Sequence, residues 1–247
     1  DEVRYDCGDT DVAPESIRAT GSMVTRSVGL AVLKAAKDAR EKIFQVAAAK
    51  LEASPDDLAV EEGRVFVRSA PDRSMTLAQV SAASPSTGGF IIGQGMSEAP
   101  TTCPVYTSQI AEVAVNQELG EIRVLRLIGA QDFGFAINPL AIVGQMEGGM
   151  LQGLGLALME EQPRREDGSL EGESLHDYLM PTSMDVPEMK SIIVENPADD
   201  TPYGIRGVGE PPIVATVAAI VNAIQDAVGE PFFSLPVKPH QLQKTRA

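Results

Sequence analysis

At 247 residues, with 43% apolar and 22% charged side chains, the chain has the composition of a globular protein with a sizeable core. A net charge of −15, with no Lys/Arg block to offset it, argues against a phosphate backbone as partner. Two cysteines, Cys7 and Cys103, and two histidines, His176 and His240, are too few for a zinc, iron–sulfur or His-rich centre, so metal chemistry here needs a cofactor that brings its own ligands.

The first ten residues carry four acids and no signal pattern, and the cysteine usage points to a reducing, cytoplasmic setting. The longest apolar stretch, Pro211 to Ile224, is interrupted by Thr216 and Asn222 and reads as too short to span a bilayer, so no membrane partner is expected. The chain opens on Asp1 within what reads as a strand, and we expect a piece of a longer polypeptide.

In chain order, Val3-Arg4-Tyr5 reads as a short strand and Gly8-Asp9-Thr10-Asp11 as a polar turn. Val28, Val32, Ala35, Ala36, Ala39, Ile43 and Val46 recur at helical spacing, which predicts a helix over 22–52, about 45 Å long, stopped by Ser54-Pro55. Leu58-Ala59-Val60 and Val65-Phe66-Val67 flank Glu62-Gly63 as a hairpin, followed by a short helix near 76–82. Residues 84–104 read as a long Ser/Pro/Gly loop with room for one strand; Gly93-Gln94-Gly95 within it has no following helix and is read as loop. A second hairpin pairs 110–115 with 122–128. A glycine-rich helix covers 143–160, a strand lies near 191–194, and a last helix spans 212–228. Strands and helices mix without regular βαβ alternation, so the fold class is α+β.

Three motifs carry chemical potential. In Gly204-Ile-Arg-Gly-Val-Gly-Glu-Pro-Pro212, Gly207 and Gly209 permit close approach of a bulky ligand, and Pro211-Pro212 suit the first turn of a helix. Glu210 at that entrance is either a general base or a helix cap, and spacing alone favours the cap. In Gly144-Gln-Met-Glu-Gly-Gly-Met-Leu-Gln-Gly-Leu-Gly155, Gln145, Gly149 and Gln152 share a helical face; a buried Gln145 would suit a pterin or a phosphate oxygen, while the motif alone favours tight helix packing with Gln145 satisfied by backbone. Ala19-Thr-Gly-Ser-Met-Val-Thr25 offers a helix N-terminus to an anion, or an ordinary hydroxyl cap.

As a set, these motifs, with Asp132-Phe-Gly-Phe-Ala-Ile-Asn-Pro139, His176-Asp-Tyr-Leu-Met-Pro181 and Gly8-Asp-Thr-Asp-Val-Ala-Pro14, resemble the C-terminal molybdopterin-binding region of the xanthine dehydrogenase/aldehyde oxidase family. The likeness runs over nearly all of 1–247. It implies a molybdenum–molybdopterin cofactor, with the cytosine dinucleotide as one candidate form, whose dithiolene holds the metal. Glu210 matches the base that deprotonates the Mo–OH group, Gln145 a cofactor-binding glutamine, and Thr20, Gly21, Ser22, Met23 and Val24 the turn around the pterin, with Gly209 beside it. The implied reaction inserts oxygen from water into a C–H bond of an aldehyde or purine-like heterocycle. The N-terminal half of the molybdenum subunit, an iron–sulfur subunit and a flavin (FAD) subunit are the implied partners. A non-catalytic cofactor-binding or assembly module of the same fold is the alternative.

Overall fold

A computed structural model describes residues 3, 8–11, 13, 15, 16, 18–97, 103–171, 174–199 and 201–242. The chain divides into two compact units, one of residues 1–18 and 24–101, the other of 19–23 and 102–247. The strand expected at Val3-Arg4-Tyr5 lies mostly outside the described residues. The turn at Gly8 to Asp11 is present, closed by Asp11 N donating to Asp9 Oδ1 at 2.9 Å.

The first unit is built on α1 (Val24–Leu51), 28 residues or about 42 Å long. Its last turns bury Val46, Ala47 and Ala48 against Leu58, Val65, Val67 and Val80. The helix stops where Glu52 turns left-handed (φ 50°) and Ala53 N reaches back to Ala48 O. Strands β1 (Leu58–Glu61) and β2 (Arg64–Val67) form the expected hairpin, with positive φ at both Glu62 and Gly63, the geometry that matches strand twist. A third strand, β3 (Ala70–Thr76), pairs with β2 and was not legible, because Pro71, Asp72 and Arg73 break the alternation. Thr76 and Gln79 cap α2 (Leu77–Ala83) reciprocally. Gly93 and Gly95 are indeed loop residues, with no strand between 84 and 97, and they lie directly against the α1 backbone: a Cβ at Gly93 would fall 2.8 Å from Ala39 Cβ.

The second unit is a three-stranded sheet, ordered β4 (Thr107–Asn116), β5 (Glu121–Asp132), β6 (Glu188–Val194). The first pair is the expected hairpin; β6 joins β5 in parallel after a crossover through α3 (Pro139–Leu158). The helix begins four residues earlier than the apolar pattern indicated, because Asn138 caps it (Oδ1 to Ala141 N, 3.1 Å) and Pro139 fits its first turn.

Helix α4 (Pro211–Val228) buries Pro212, Thr216, Ile220 and Ile224 at four-residue spacing and ends on left-handed Gly229. By length and composition α4 could cross a bilayer, contrary to the reading of that stretch as too short; in this fold its stripe packs on β4 and α3. Leu127, Met150, Leu154, Ile220, Ile224 and Val237 form the core, each burial contributing about 1.5–3 kcal/mol.

Glycine positions set how closely α3 and α4 approach. A Cβ at Gly149 would sit 2.7 Å from Pro212 Cβ, and one at Gly153 would overlap Thr216. On the other side of α3, Gly144 and Gly148 border an open groove of about 450 Å³ shared with Val186 and Met189; Glu210 and Gln145 are not part of it.

Candidate active site

The segment leading to Glu210 is fixed by a buried ion pair. Arg206 Nε lies 3.1 Å from Asp132 Oδ2, with both side chains about nine-tenths covered. Asp132 Oδ1 accepts from Gly134 N (2.9 Å) and Asn196 N (3.2 Å). Arg206 also donates to Pro104 O at 2.8 Å and to Asn196 O at 3.3 Å, while its own N–H binds Phe133 O. Beyond it, Val208 packs on the cluster of Phe133, Ile142 and Met146, which holds the Gly207–Glu210 loop over the start of α3. Neither Asp132 nor Arg206 was among the sequence-predicted site residues. The available signal was a single arginine between glycines, with nothing to name its partner 74 positions away.

Onto this loop folds the turn Thr20 to Met23, part of the same unit. The expected helix over 22–52 does not include Ser22, because Gly21 (φ 62°) and Ser22 (φ 55°) are both left-handed and Met23 N closes back on Thr20 O. A left-handed serine is strained, and such residues concentrate where a site needs a fixed geometry. Ser22 Oγ accepts from Glu210 N at 2.8 Å and lies 3.4 Å from Glu210 Oε2, to which its hydroxyl can donate. A Cβ at Gly207 would stand 2.9 Å from Ser22 Cβ, so Gly207 is needed for the turn to seat. Val24, the last of the five predicted turn residues, is instead the first residue of α1 in the other unit.

Gln145 completes the group, but it is exposed rather than buried. The buried stripe of α3 runs through Ile142, Met146 and Met150, and position 145 lies about 100° away from Met146. Gln145 Oε1 is 3.2 Å from where a Cβ on Gly209 would be, and Ser22 Oγ is 3.9 Å from the same point. The bare edge of Gly209 is therefore flanked by an amide and a hydroxyl. The Gln145 amide makes no hydrogen bond to another described residue. Gln152 is also exposed, and Gly149 on the same face is used for packing against Pro212.

Glu210 does not cap α4. It occupies the N-cap position, is exposed, and its carboxylate accepts no hydrogen bond from the first turn. Pro211 and Pro212 have no N–H to offer, and Ile213 N turns back to Glu210 O at 3.3 Å, so little remains for a side chain to cap. The carboxylate is thus exposed next to Gly209 and the Gln145 amide, and its hydrogen bond among the described residues is the 3.4 Å one from the Ser22 hydroxyl. That donor set can hold the hydrogen-bonding edge of a flat heterocycle and move a proton next to it.

The His176-Asp-Tyr-Leu-Met-Pro181 segment lies elsewhere in this unit. Tyr178 Oη donates to Glu160 Oε2 at 2.7 Å, which raises the phenol above its ordinary value of 10.0.

The family model described as Molybdopterin cofactor-binding domain matches residues 1–187. The chain belongs to this family of molybdenum hydroxylase domains. Among its relatives is a xanthine dehydrogenase molybdenum-binding subunit of Escherichia coli O157:H7, 32% identical over 95% of this chain and 32% of that protein. Another is the 6-hydroxypseudooxynicotine dehydrogenase complex subunit gamma of Paenarthrobacter nicotinovorans, 33% identical over 95% of this chain and 31% of that one. The fold is similar to a Cu,Mo-carbon monoxide dehydrogenase (TM-score 0.84, 26% identity, 94% of this chain, 30% of that chain). It is also similar to quinoline 2-oxidoreductase of Pseudomonas putida 86 (TM-score 0.79, 27% identity, 91% of this chain, 30% of that chain). The chain thus spans about a third of the relatives it matches, and the α+β molybdopterin-binding fold is the one expected. Molybdenum–molybdopterin is the cofactor of this family, and the amide and hydroxyl beside Gly209 are hydrogen-bonding groups of the kind a pterin edge requires.

Proposed function

We propose that this chain forms one wall of the active site of a molybdenum hydroxylase, with Glu210 as general base. The substrate class is an aldehyde or an N-heterocycle oxidised at a C–H bond with water as the oxygen source. The cofactor, when bound, supplies the redox chemistry and activates the oxygen nucleophile. Glu210 accepts the proton from that nucleophile at its exposed carboxylate. Ser22 fixes the Glu210 backbone through the 2.8 Å bond to its N–H and steadies the carboxylate at Oε2. Gln145 presents its amide to the pterin beside Gly209, and Thr20, Gly21 and Met23 shape the turn that meets it.

The observation that carries this reading is an exposed carboxylate that does not cap its helix: Glu210 stands at a helix entrance whose two prolines remove the reason for a cap. The remaining molybdenum-subunit half, an iron–sulfur subunit and a flavin subunit would complete the complex, in a cytoplasmic setting. Relatives of this length ratio, one of them named as a subunit of a dehydrogenase complex, support that assembly.

The test is Glu210→Gln in the assembled enzyme, with molybdenum measured beside turnover. Loss of a general base lowers the rate by about 10²–10⁴. Removing a cap that the fold does not use changes stability little. Full molybdenum with turnover within about tenfold of wild type, short of that loss, would sink the assignment.

A further inference from the structure

The inner face of the sheet, the one that packs on α3 and α4, carries two glutamines among apolar neighbours. Gln109 on β4 and Gln131 on β5 point to that same face, since Gln109 pairs with Gly129 and Thr107 with Gln131. Their neighbours on it, Ala111, Val113 and Leu127, belong to the apolar core. Gln131 is 1% exposed. A buried amide is costly unless its hydrogen bonds are made, and Gln131 Oε1 has no partner among the described residues, so its place must be justified by what its Nε2 holds.

Both glutamines hold the Glu210 turn. Gln131 Nε2 donates to Gly207 O at 3.1 Å, three residues before Glu210. Gln109 Nε2 donates to Pro212 O, two residues after it. Thr216, fully buried on α4, fixes Gln109 in turn: its Oγ1 is within hydrogen-bond reach of Gln109 Oε1 and 2.9 Å from Pro212 O. With Ser22 on the Glu210 N–H, the six-residue turn is held at both ends and its middle.

We propose that Gln109 and Gln131 are positioning residues that fix the backbone of the Glu210 turn from its two sides. Neither touches the reacting atoms. Each acts by tying one carbonyl of the turn to a rigid strand, so that the carboxylate is delivered to one place. The catalytic consequence rests on the proposed role of Glu210; the bracing itself does not.

The experiment replaces Gln131 with Met, which keeps length and removes the N–H donor, in the full assembled enzyme. Four quantities are read: kcat, KM, molybdenum content, and hydrogen exchange of the Glu210 amide. Misplacement of a reacting group by about 1 Å lowers rate about a hundredfold. The expected result is a kcat lower by about that factor, with KM and molybdenum content unchanged. The Glu210 amide, the one N–H of 207–210 with a partner among the described residues, should exchange about tenfold faster, as for the loss of one net hydrogen bond, with exchange in β5 unaltered. Gln109→Met should act in the same direction. If the Glu210 amide keeps wild-type protection in both variants, the proposal is overturned. It is equally overturned if protection falls across the whole sheet together with molybdenum content, since that marks a general packing role. Faster loop exchange with full kcat, in a protein whose Glu210→Gln variant also stays active, would uphold the brace and reject Glu210 as the base. Should Gln131→Met not assemble, Gln109→Met, at a half-buried position, reads the same quantities.

Discussion

Replacing Asp132 by Ala should destabilise the second unit by about 3–5 kcal/mol, the cost of leaving a buried partner charge unpaired. The figure follows from what the carboxylate does. Its Oδ2 pairs with Arg206 at 3.1 Å and its Oδ1 accepts two backbone N–H groups, from Gly134 and Asn196. Gly134 N and Asn196 N lose this acceptor in the alanine variant, and the guanidinium loses its counter-charge while keeping the Pro104 and Asn196 carbonyls and the Cys103 sulfur. Asp132→Asn keeps an oxygen for the two N–H groups and gives up only the charge, so about 1–2 kcal/mol is expected. The pair Asp132→Leu with Arg206→Met should cost less than the sum of its single changes, by about 1 kcal/mol or more. Because the chain has two compact units, a bulk spectroscopic probe would mix their transitions. Urea dependence of hydrogen exchange in β5 isolates the relevant one. An Asp132→Ala loss within about 0.5 kcal/mol, the range of an ordinary surface change, would refute the account. So would strict additivity of the double variant.

Two further predictions use other parts of the molecule. Gly153→Ala should destabilise by about 1–3 kcal/mol through overpacking on Thr216, whereas Gly148→Ala, facing open space, should stabilise α3 by about 0.5–1 kcal/mol; thermal unfolding of the two variants should shift in opposite directions. The Asp38 carboxyl is held below its ordinary value of 3.8 by its hydrogen bond to Lys42 and then by the Gln94 N–H. A depressed folded value means that its stabilisation is complete above the ordinary value and is lost as the pH falls through the folded one. Wild type and Asp38→Asn should therefore differ in stability near neutral pH and converge in acid, which pH-dependent denaturation measures.

The elements legible in the sequence are those whose signal is local. The periodic run from Val28 to Val46, the Glu62-Gly63 turn and the Pro211-Pro212 helix start each carry their own geometry, and all appear close to the expected positions. Strand β3 was missed because a short polar segment with Pro71 becomes a strand only when β2 offers it a ladder. The conformation of Ser22 was missed for a similar reason. A Gly-Ser pair before a helical run reads as a cap, and only the partner 188 positions away makes a left-handed serine worth its strain.

The site shows the same division more sharply. Residue types named the chemistry: a carboxylate between glycine and proline, an amide on a glycine-rich helix, a hydroxyl in a tight turn. What they could not give was which of two roles each one takes, because both roles use the same letters. Glu210 reads as a cap from spacing, yet the two prolines that mark the helix start also delete the N–H groups a cap would serve. Gly149 reads as room for another element or a flat cofactor, and Pro212 takes that room, while Gly209 lies between Gln145 and Ser22. In each case the decision rests on whether a neighbour distant in sequence has already consumed the group. A residue that stays exposed and serves no cap after the fold has formed is the one to test for action on something outside it, and Glu210, held only at Oε2 by Ser22 among the described residues, is the residue proposed here.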